Sequence, residues 1–279
     1  MAHIILKLRK GEKITMKINC KAEIIKIEKL KEDIYKFSVK AEEIVSQAKP
    51  GQFIEIRVVD WVEPLLRRPI SIYNLEKETG TLEFIFQVKG KGTTLLAQRK
   101  VGEKLDIIGP IGYGTFSIKE YKKVAIIGGG IGIFPLYELS KQLKQNTSTN
   151  VSVYIGFRNK DLITLEEEFK SVSDKLTITT DDGSYGIKGF AINELKKDYE
   201  KEKPDCIYAC GPLPMLKAIQ EYAKENNIRC EISLEQKMAC GIGVCLGCAV
   251  KTAKSPQDAP QYWHVCKAGP VFNAMDVEI

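Results

Sequence analysis

Four of the eight cysteines lie in the last forty residues, and their spacing is the strongest constraint on this chain. Cys240, Cys245 and Cys248 follow the pattern C-x4-C-x2-C, and Cys266 comes after seventeen further residues. This is the spacing of plant-type [2Fe–2S] sites, and the glycines between the cysteines give a loop the freedom to wrap around a cluster. A four-cysteine zinc site is the alternative, although such sites usually pair two short C-x2-C hooks. The sequence therefore favours a [2Fe–2S] cluster held by these four cysteines.

Composition places the chain among ordinary globular proteins. Its 279 residues, 44% hydrophobic and 28% charged, are enough for two domains and an appendage. No apolar run reaches the length of a membrane-spanning helix. Residues 1–15 supply half of the net charge of +6, and the rest of the chain shows no sustained basic stripe of the kind that indicates nucleic-acid binding. Because that start resembles no secretory signal, we expect a cytoplasmic protein. The two histidines, His3 and His264, give poor support to a Ser–His–Asp triad or a histidine-ligated metal.

Residues 16–120 carry the pattern of short strands separated by turns. The predicted strands are Ala22–Ile27, Ile34–Val39, Phe53–Val59, Ile70–Tyr73, Leu82–Val88 and Leu105–Ile108. Six strands at this spacing predict a small antiparallel barrel. The only helix expected in this domain is Thr93–Arg99.

From Lys122 the pattern changes to alternating strands and helices, which predicts a doubly wound parallel sheet over residues 121–234. Residues 235–279 look irregular and rich in cysteine, and we expect a small domain that its cluster stabilises. Residues 1–15 form an N-terminal extension before the barrel. The predicted fold class is therefore β plus α/β, with a six-stranded barrel, a parallel-sheet domain and a cluster domain.

Three segments suit phosphate binding. Gly128, Gly129, Gly130 and Gly132 follow a predicted strand and open a helix, where free backbone N–H groups attract a pyrophosphate. Ile133 stands where the G-x-G-x-x-G fingerprint has its last glycine, so a tight strand-to-helix turn is the alternative. In the barrel, Arg68-Pro69-Ile70-Ser71 offers a bidentate donor on a rigid backbone, and Gly92-Thr93 opens the predicted helix. A surface salt bridge of Arg68 is the alternative there.

Together these segments resemble the ferredoxin–NADP reductase superfamily. The resemblance is carried by residues 68–71, by residues 128–132 with Pro135, by Cys210-Gly211-Pro212 with Met215, and by the four cysteines. The segments Ser233–Cys248 and Val265–Phe272 are more closely similar to the electron-transfer subunits of the NAD-dependent class B dihydroorotate dehydrogenases. The resemblance covers nearly everything from Met16 to the C-terminus.

The resemblance implies three cofactors and their sites. It implies that Arg68, Pro69, Ile70 and Ser71 hold FAD, that Ile85, Phe86 and Gln87 line the flavin, and that Gly92 and Thr93 hold its pyrophosphate. It implies that NAD docks on Gly128, Gly129, Gly130 and Gly132 and beside Cys210, Gly211 and Pro212. It implies a [2Fe–2S] cluster on Cys240, Cys245, Cys248 and Cys266.

The resemblance also implies a partner and a direction of transfer. The partner would be an FMN-containing catalytic subunit that oxidises dihydroorotate, in a heterotetramer with two copies of each chain. Electrons would pass from it through the cluster and FAD to NAD+, as a step of pyrimidine biosynthesis. Hydride transfer depends on positioning, so no acid or base catalyst is expected. Glu235 either approaches the nicotinamide or flavin ring or is a solvated acid.

Two other functions stay open from the residues. The first is a reductase that uses NAD(P)H and serves ferredoxin, polysulfide or another redox partner. The second is a redox sensor or zinc-stabilised adaptor on a degenerate reductase fold.

Overall fold

A closed barrel of six antiparallel strands forms the first domain, which confirms the prediction. The computed structural model describes residues 17–59, 63–200, 202–253, 256 and 259–279, so the predicted extension over residues 1–15 lies outside the described residues. Around the barrel the strands follow the order β1-β2-β5-β4-β3-β6. Their bounds are β1 Ile18–Lys31, β2 Ile34–Lys40, β3 Phe53–Arg57, β4 Arg68–Glu76, β5 Thr81–Gln87 and β6 Lys104–Ile111.

Alternation of side chains explains how these strands fill the barrel. In β3, Ile54 and Ile56 point inward and are fully buried, whereas Phe53 and Glu55 point to the outer face. Two helices belong to this domain, α1 (Glu42–Gln47) and α2 (Lys91–Ala97). The expectation of a single helix was therefore wrong. Helix α1 has only six residues, too few for a helical period to show in the sequence.

The second domain is a parallel sheet covered by helices. The strands follow the order β10-β9-β8-β7-β11-β12-β15, and of these described strands only β15 (Val271–Asn273) runs antiparallel to its neighbour. The strands are β7 Lys123–Gly129, β8 Asn150–Phe157, β9 Lys175–Thr180, β10 Ile187–Lys188, β11 Cys206–Cys210 and β12 Arg229–Ser233. The helices are α3 Phe134–Asn146, α4 Glu166–Ser171, α5 Ala191–Asp198 and α6 Leu213–Glu225. This confirms the predicted doubly wound domain.

The C-terminal segment, residues 235–279, has more regular structure than the sequence indicated. Strands β13 (Ala249–Lys251) and β14 (Tyr262–His264) form a hairpin, and β15 (Val271–Asn273) pairs with β12. The segment therefore extends the sheet of the preceding domain. Among the described residues, no helix is both long and apolar enough to span a membrane.

Candidate functional site

A cavity of about 290 Å³ opens where the barrel, the parallel sheet and the C-terminal segment meet. Six of the predicted flavin residues line it, together with Cys210 from the end of β11 and Glu235 from the C-terminal segment. Its apolar walls with a few polar groups suit a planar organic ring. The predicted flavin residues that line it are Pro69, Ile70, Ser71, Ile85, Phe86 and Gln87.

Arg68 brings the two phosphate motifs of the barrel together. A Cβ on Gly92 would lie 2.1 Å from Nε of Arg68, so the guanidinium packs against the start of α2. Its Nη1 donates to the carbonyl oxygens of Leu66 and Arg67 at 2.9 and 3.0 Å. Thr93 stabilises the turn that leads into α2, because its hydroxyl oxygen accepts a hydrogen bond from the backbone N–H of Lys89 at 2.9 Å. A planar donor beside a helix start is suited to a diphosphate.

The glycine turn lies at the point where the strand order of the sheet reverses. Strand β7 has β8 on one side and β11 on the other, and Cys210 is in register with Gly128. A Cβ on Gly132 would lie 2.6 Å from the Cα of Gly211, so the turn packs closely on the segment after β11. In open α/β sheets, ligands bind in the crevice at such a reversal. The predicted nicotinamide residues therefore surround one crevice.

Sequence reasoning missed an acidic loop at the same edge. Asp181 and Asp182 follow β9, and their backbone N–H groups donate to the carbonyl oxygens of Phe157 and Arg158 at the end of β8. Hydrogen bonds from Ser184 lower the pKa of Asp182. Arg158 follows β8 directly, so the acids at this edge come from the end of the next strand, β9.

The four cysteines of the C-terminal segment come together as two pairs. The backbone N–H of Cys245 lies 3.4 Å from the Sγ of Cys240, and the backbone N–H of Cys266 lies 3.4 Å from the Sγ of Cys248. Cys245 is exposed, Cys240 is partly buried, and the second pair is buried at 1–2% exposure. The loop therefore presents one pair near solvent and one pair near the protein core.

Backbone N–H groups are aimed at the sulfur of Cys240. Those of residues 242, 244 and 245 lie 3.4 Å from its Sγ. Burial opposes ionisation, but these donors outweigh it and lower the pKa of Cys240 to about 6. Burial raises the pKa of Cys266 to about 12, and the neighbouring Cys248 adds to that rise. Bound iron would supply the positive charge that ionises such a thiol.

This donor set fits a [2Fe–2S] cluster. Such a cluster takes four thiolates, two for each iron, and the structure places the four cysteines as two neighbouring pairs. Cys240, Cys245, Cys248 and Cys266 are therefore the residues that would hold the cluster.

Two barrel residues beside the cluster loop were also missed. Glu55 of β3 is 1% exposed and lies beneath Gly241, where a Cβ would be 2.2 Å from its Oε1. Burial raises the pKa of Glu55 to about 7, opposed in part by Arg67. Lys17 reaches the same loop from the start of β1. Alternation within β3 places Glu55 on the outer face, but no local signal shows that residues 235–279 cover that face.

Three family models match successive parts of the chain. The oxidoreductase FAD-binding domain matches residues 21–116, and the oxidoreductase NAD-binding domain matches residues 126–221. The iron–sulfur cluster binding domain of dihydroorotate dehydrogenase B matches residues 235–278. The cofactors are therefore FAD, NAD and an iron–sulfur cluster.

Curated relatives match across most of the chain. A protein of Lysinibacillus sphaericus (strain C3-41) is 42% identical over 82% of this chain and 87% of its own length. One of Fusobacterium nucleatum subsp. nucleatum is 39% identical over 88% of this chain and 93% of its own length. Both are named dihydroorotate dehydrogenase B (NAD(+)), electron transfer subunit.

Solved structures share the fold. A chain from the NADH-dependent reduced ferredoxin-NADP oxidoreductase, described in work on flavin-based electron bifurcation, is 32% identical. It superposes with a TM-score of 0.81 over 93% of this chain and 90% of its own. The ferredoxin reductase of carbazole 1,9a-dioxygenase, at 22% identity and a TM-score of 0.64, covers 76% of this chain and 67% of its own and shows the shared fold alone.

Proposed function

Because this chain belongs to the family of the electron transfer subunits of dihydroorotate dehydrogenase B, we propose that it passes electrons from a dihydroorotate-oxidising catalytic subunit to NAD+. The partner carries FMN, and two copies of each chain form a heterotetramer. The reaction belongs to pyrimidine biosynthesis in the cytoplasm. None of the eight cysteines, all of which lie in the described part of the chain, forms a disulfide, which suits a reducing compartment.

The observation that carries this proposal is the shared cavity. Its walls come from the barrel, from Cys210 beside the nicotinamide crevice, and from Glu235 and Met238, which precede the first cluster cysteine. A ring bound in this cavity would adjoin both the nicotinamide crevice and the cluster loop. FAD suits this central position because a flavin exchanges hydride with a nicotinamide and single electrons with an iron–sulfur centre.

The side chains of this chain bind and orient rather than exchange protons. Strand β4 supplies one wall of the cavity, and Arg68 stands beside the start of α2 to receive a diphosphate. The glycine turn leaves room for a second dinucleotide to approach at the crevice. Hydride transfer between two rings depends on their placement. The roles of these individual residues are part of the proposal.

The catalytic subunit docks on the exposed tip of the cluster loop. Val244 and Leu246 are 66% and 60% exposed there, beside the solvent-facing Cys245. Apolar side chains beside an exposed ligand are a suitable contact for another subunit. Docking at this tip would place the partner next to the cluster.

Coexpression with the catalytic subunit tests the proposal. We expect the two chains to copurify with FMN, FAD, iron and sulfide, and to form NADH when dihydroorotate and NAD+ are added without oxygen. Light scattering of the purified complex tests the two-plus-two stoichiometry. A complex that contains every cofactor but produces no NADH from dihydroorotate would contradict the proposed function.

A second candidate is favoured by one observation, the 32% identity and TM-score of 0.81 to a chain of a ferredoxin-NADP oxidoreductase. In this alternative the chain oxidises NADH and serves ferredoxin or another redox partner. Assaying the purified chain alone with NADH and oxidised ferredoxin distinguishes the two. Turnover with ferredoxin that matches the rate with the dihydroorotate-oxidising subunit would favour the alternative.

A further inference from the structure

Lys17 brings a positive charge from the barrel to the cluster loop. The residue precedes β1 and is half-buried. Its Nζ donates a hydrogen bond to the carbonyl oxygen of Ile242 at 3.0 Å. Ile242 lies between Cys240 and Cys245 in the chain, so the barrel holds this ammonium group directly against the backbone that carries the cysteines.

The ammonium group interacts with one cysteine of each pair. Burial lowers the pKa of Lys17, while the charges of Cys266 and Cys240 oppose that change. Cys240 belongs to the pair near solvent, and Cys266 belongs to the buried pair. The hydrogen bond to Ile242 itself places the positive charge two residues along the loop from Cys240.

Other charged groups face the same loop. Lys267 packs on it, since a Cβ on Gly243 would lie 3.2 Å from the Cδ of Lys267, and its charge also lowers the pKa of Lys17. Glu55 lies under Gly241, on β3. Strand β6 separates the two barrel groups, because it pairs with β1 at Ile18 and with β3 at Glu55.

We propose that Lys17 makes the [2Fe–2S] cluster easier to reduce by stabilising the added negative charge. Reduction of the cluster adds one electron, and no bond forms or breaks and no proton moves. The charge of the site therefore falls by one. A fixed ammonium group stabilises that charge, and partial burial limits screening by water. Groups around a cluster tune its potential in this way. The inference rests on the proposed function only in requiring a loaded cluster.

The test compares two neutral variants, a charged variant and a distant control. Lys17→Gln and Lys17→Met remove the charge, Lys17→Arg retains it, and Lys224→Gln removes an exposed charge from α6. Each full-length protein is titrated anaerobically, and the reduced cluster is quantified by electron paramagnetic resonance. Iron, sulfide and FAD are measured on the same samples.

At a fixed potential, we expect both neutral variants to show about a tenfold lower ratio of reduced to oxidised cluster. For a one-electron couple this moves the midpoint by about 59 mV to more negative values. Lys17→Arg and Lys224→Gln should remain within about twofold of the unchanged protein.

Two results would overturn the inference. One is an unchanged midpoint in the neutral variants with full iron content, or an equal shift in Lys17→Arg, because charge would then not be the cause. The other is loss of the cluster from both neutral variants, which would make Lys17 a structural support of the loop. Failure of the proposed function is separate, because it would show as a loaded complex that forms no NADH from dihydroorotate.

Discussion

The barrel and the C-terminal segment are ordered by different means. The barrel buries Ile24, Phe37 and Phe84 completely inside its own six strands. Val265 and Phe272, among the described residues of the C-terminal segment, pack instead into the core of the parallel sheet. The barrel therefore carries most of its stability within itself, whereas the segment depends on its neighbours and on its cluster.

The backbone of the cluster loop also depends on what surrounds it. Gly241 and Gly243 have φ values of +63° and +84°, and the non-glycine Leu246 has a φ of 62°. Left-handed conformations of this kind persist when the surroundings enforce them. The underlying barrel contacts this loop through Glu55 and Lys17, and metal–thiolate bonds would add to that enforcement when the cluster is bound. An ordered site can thus be built on a segment that would not hold its shape alone.

The largest expected effect is that of Cys248→Ser, which tests whether only the segment depends on the cluster. Loss of one thiolate from the buried pair should abolish cluster binding, while the barrel keeps its FAD. Electron transfer to the catalytic subunit should then be lost completely. Iron, sulfide and flavin analysis checks this, with Cys20→Ser in β1 as a control that should keep its iron. Full iron content in Cys248→Ser would show that the segment is held in another way.

Gly241→Ala tests the contact between the two regions. The new Cβ would lie 2.2 Å from Oε1 of Glu55 at a φ of +63°. We expect a loss of roughly 2–4 kcal/mol in the free energy of unfolding, from the backbone conformation and the clash together. Thermal unfolding with iron analysis measures it.

Gly102→Ala is the matched control, because Gly102 has a φ of +88° and no atom within 4 Å of the added Cβ. It should lose only roughly 1–2 kcal/mol, the cost of the backbone conformation. It should also keep its iron. Equal losses in the two variants would mean that Glu55 does not support the loop.

Arg68→Ala tests the barrel side alone. Removing a charged hydrogen-bond donor should weaken FAD binding by about tenfold to a hundredfold, or about 1.5–3 kcal/mol. Flavin fluorescence during titration of the FAD-free protein measures the affinity, and the iron content should not change. Arg158→Ala, an exposed position after β8, is the control. An unchanged affinity in Arg68→Ala would remove this residue from the flavin site.

The smallest expected effect concerns Glu138, which joins α3 to the barrel without involving the C-terminal segment. Its carboxylate accepts the backbone N–H of Leu75 in β4 at 3.0 Å, and burial raises its pKa above the ordinary 4.5. The folded protein therefore holds this proton more tightly than the unfolded chain does. The contribution to stability is fully present below pH 4.5 and is lost as the pH rises through the folded value.

Thermal unfolding of Glu138→Gln at pH 5 and pH 8 checks this sign. The unfolding temperature of the unchanged protein should fall relative to that of the variant at the higher pH. A difference between the two proteins that is independent of pH would contradict the expectation.

Local patterns were enough to predict the barrel and the parallel sheet. Strand alternation, turn glycines and the glycine turn after β7 all act over a few neighbouring residues, and the structure confirms the elements predicted from them. The cavity then brings together residues as distant in the chain as Ser71 and Glu235. The roles of the individual flavin and nicotinamide residues, and the domain boundary at residue 234, remain predictions.

Contacts between distant segments could not be predicted. Glu55 appears in the sequence as an ordinary outward acid of a strand, and its burial depends on a loop that follows almost two hundred residues later. Strand β15 has only three residues, so its pairing with β12 has no local signal. Lys17 likewise has no motif around it. Each of these features exists only once the tertiary structure has formed.

The pairing of β15 with β12 also affects how copies of the protein behave toward one another. An uncovered edge strand offers free N–H and C=O groups with which another chain can pair. Residues Val271–Asn273 cover that edge through Glu231, Ile232 and Ser233. A chain cut before Val271 would retain all four cluster cysteines yet expose β12 to self-association. The same short stretch that follows the last cysteine therefore places a three-residue strand, rather than β12, at the edge of the sheet.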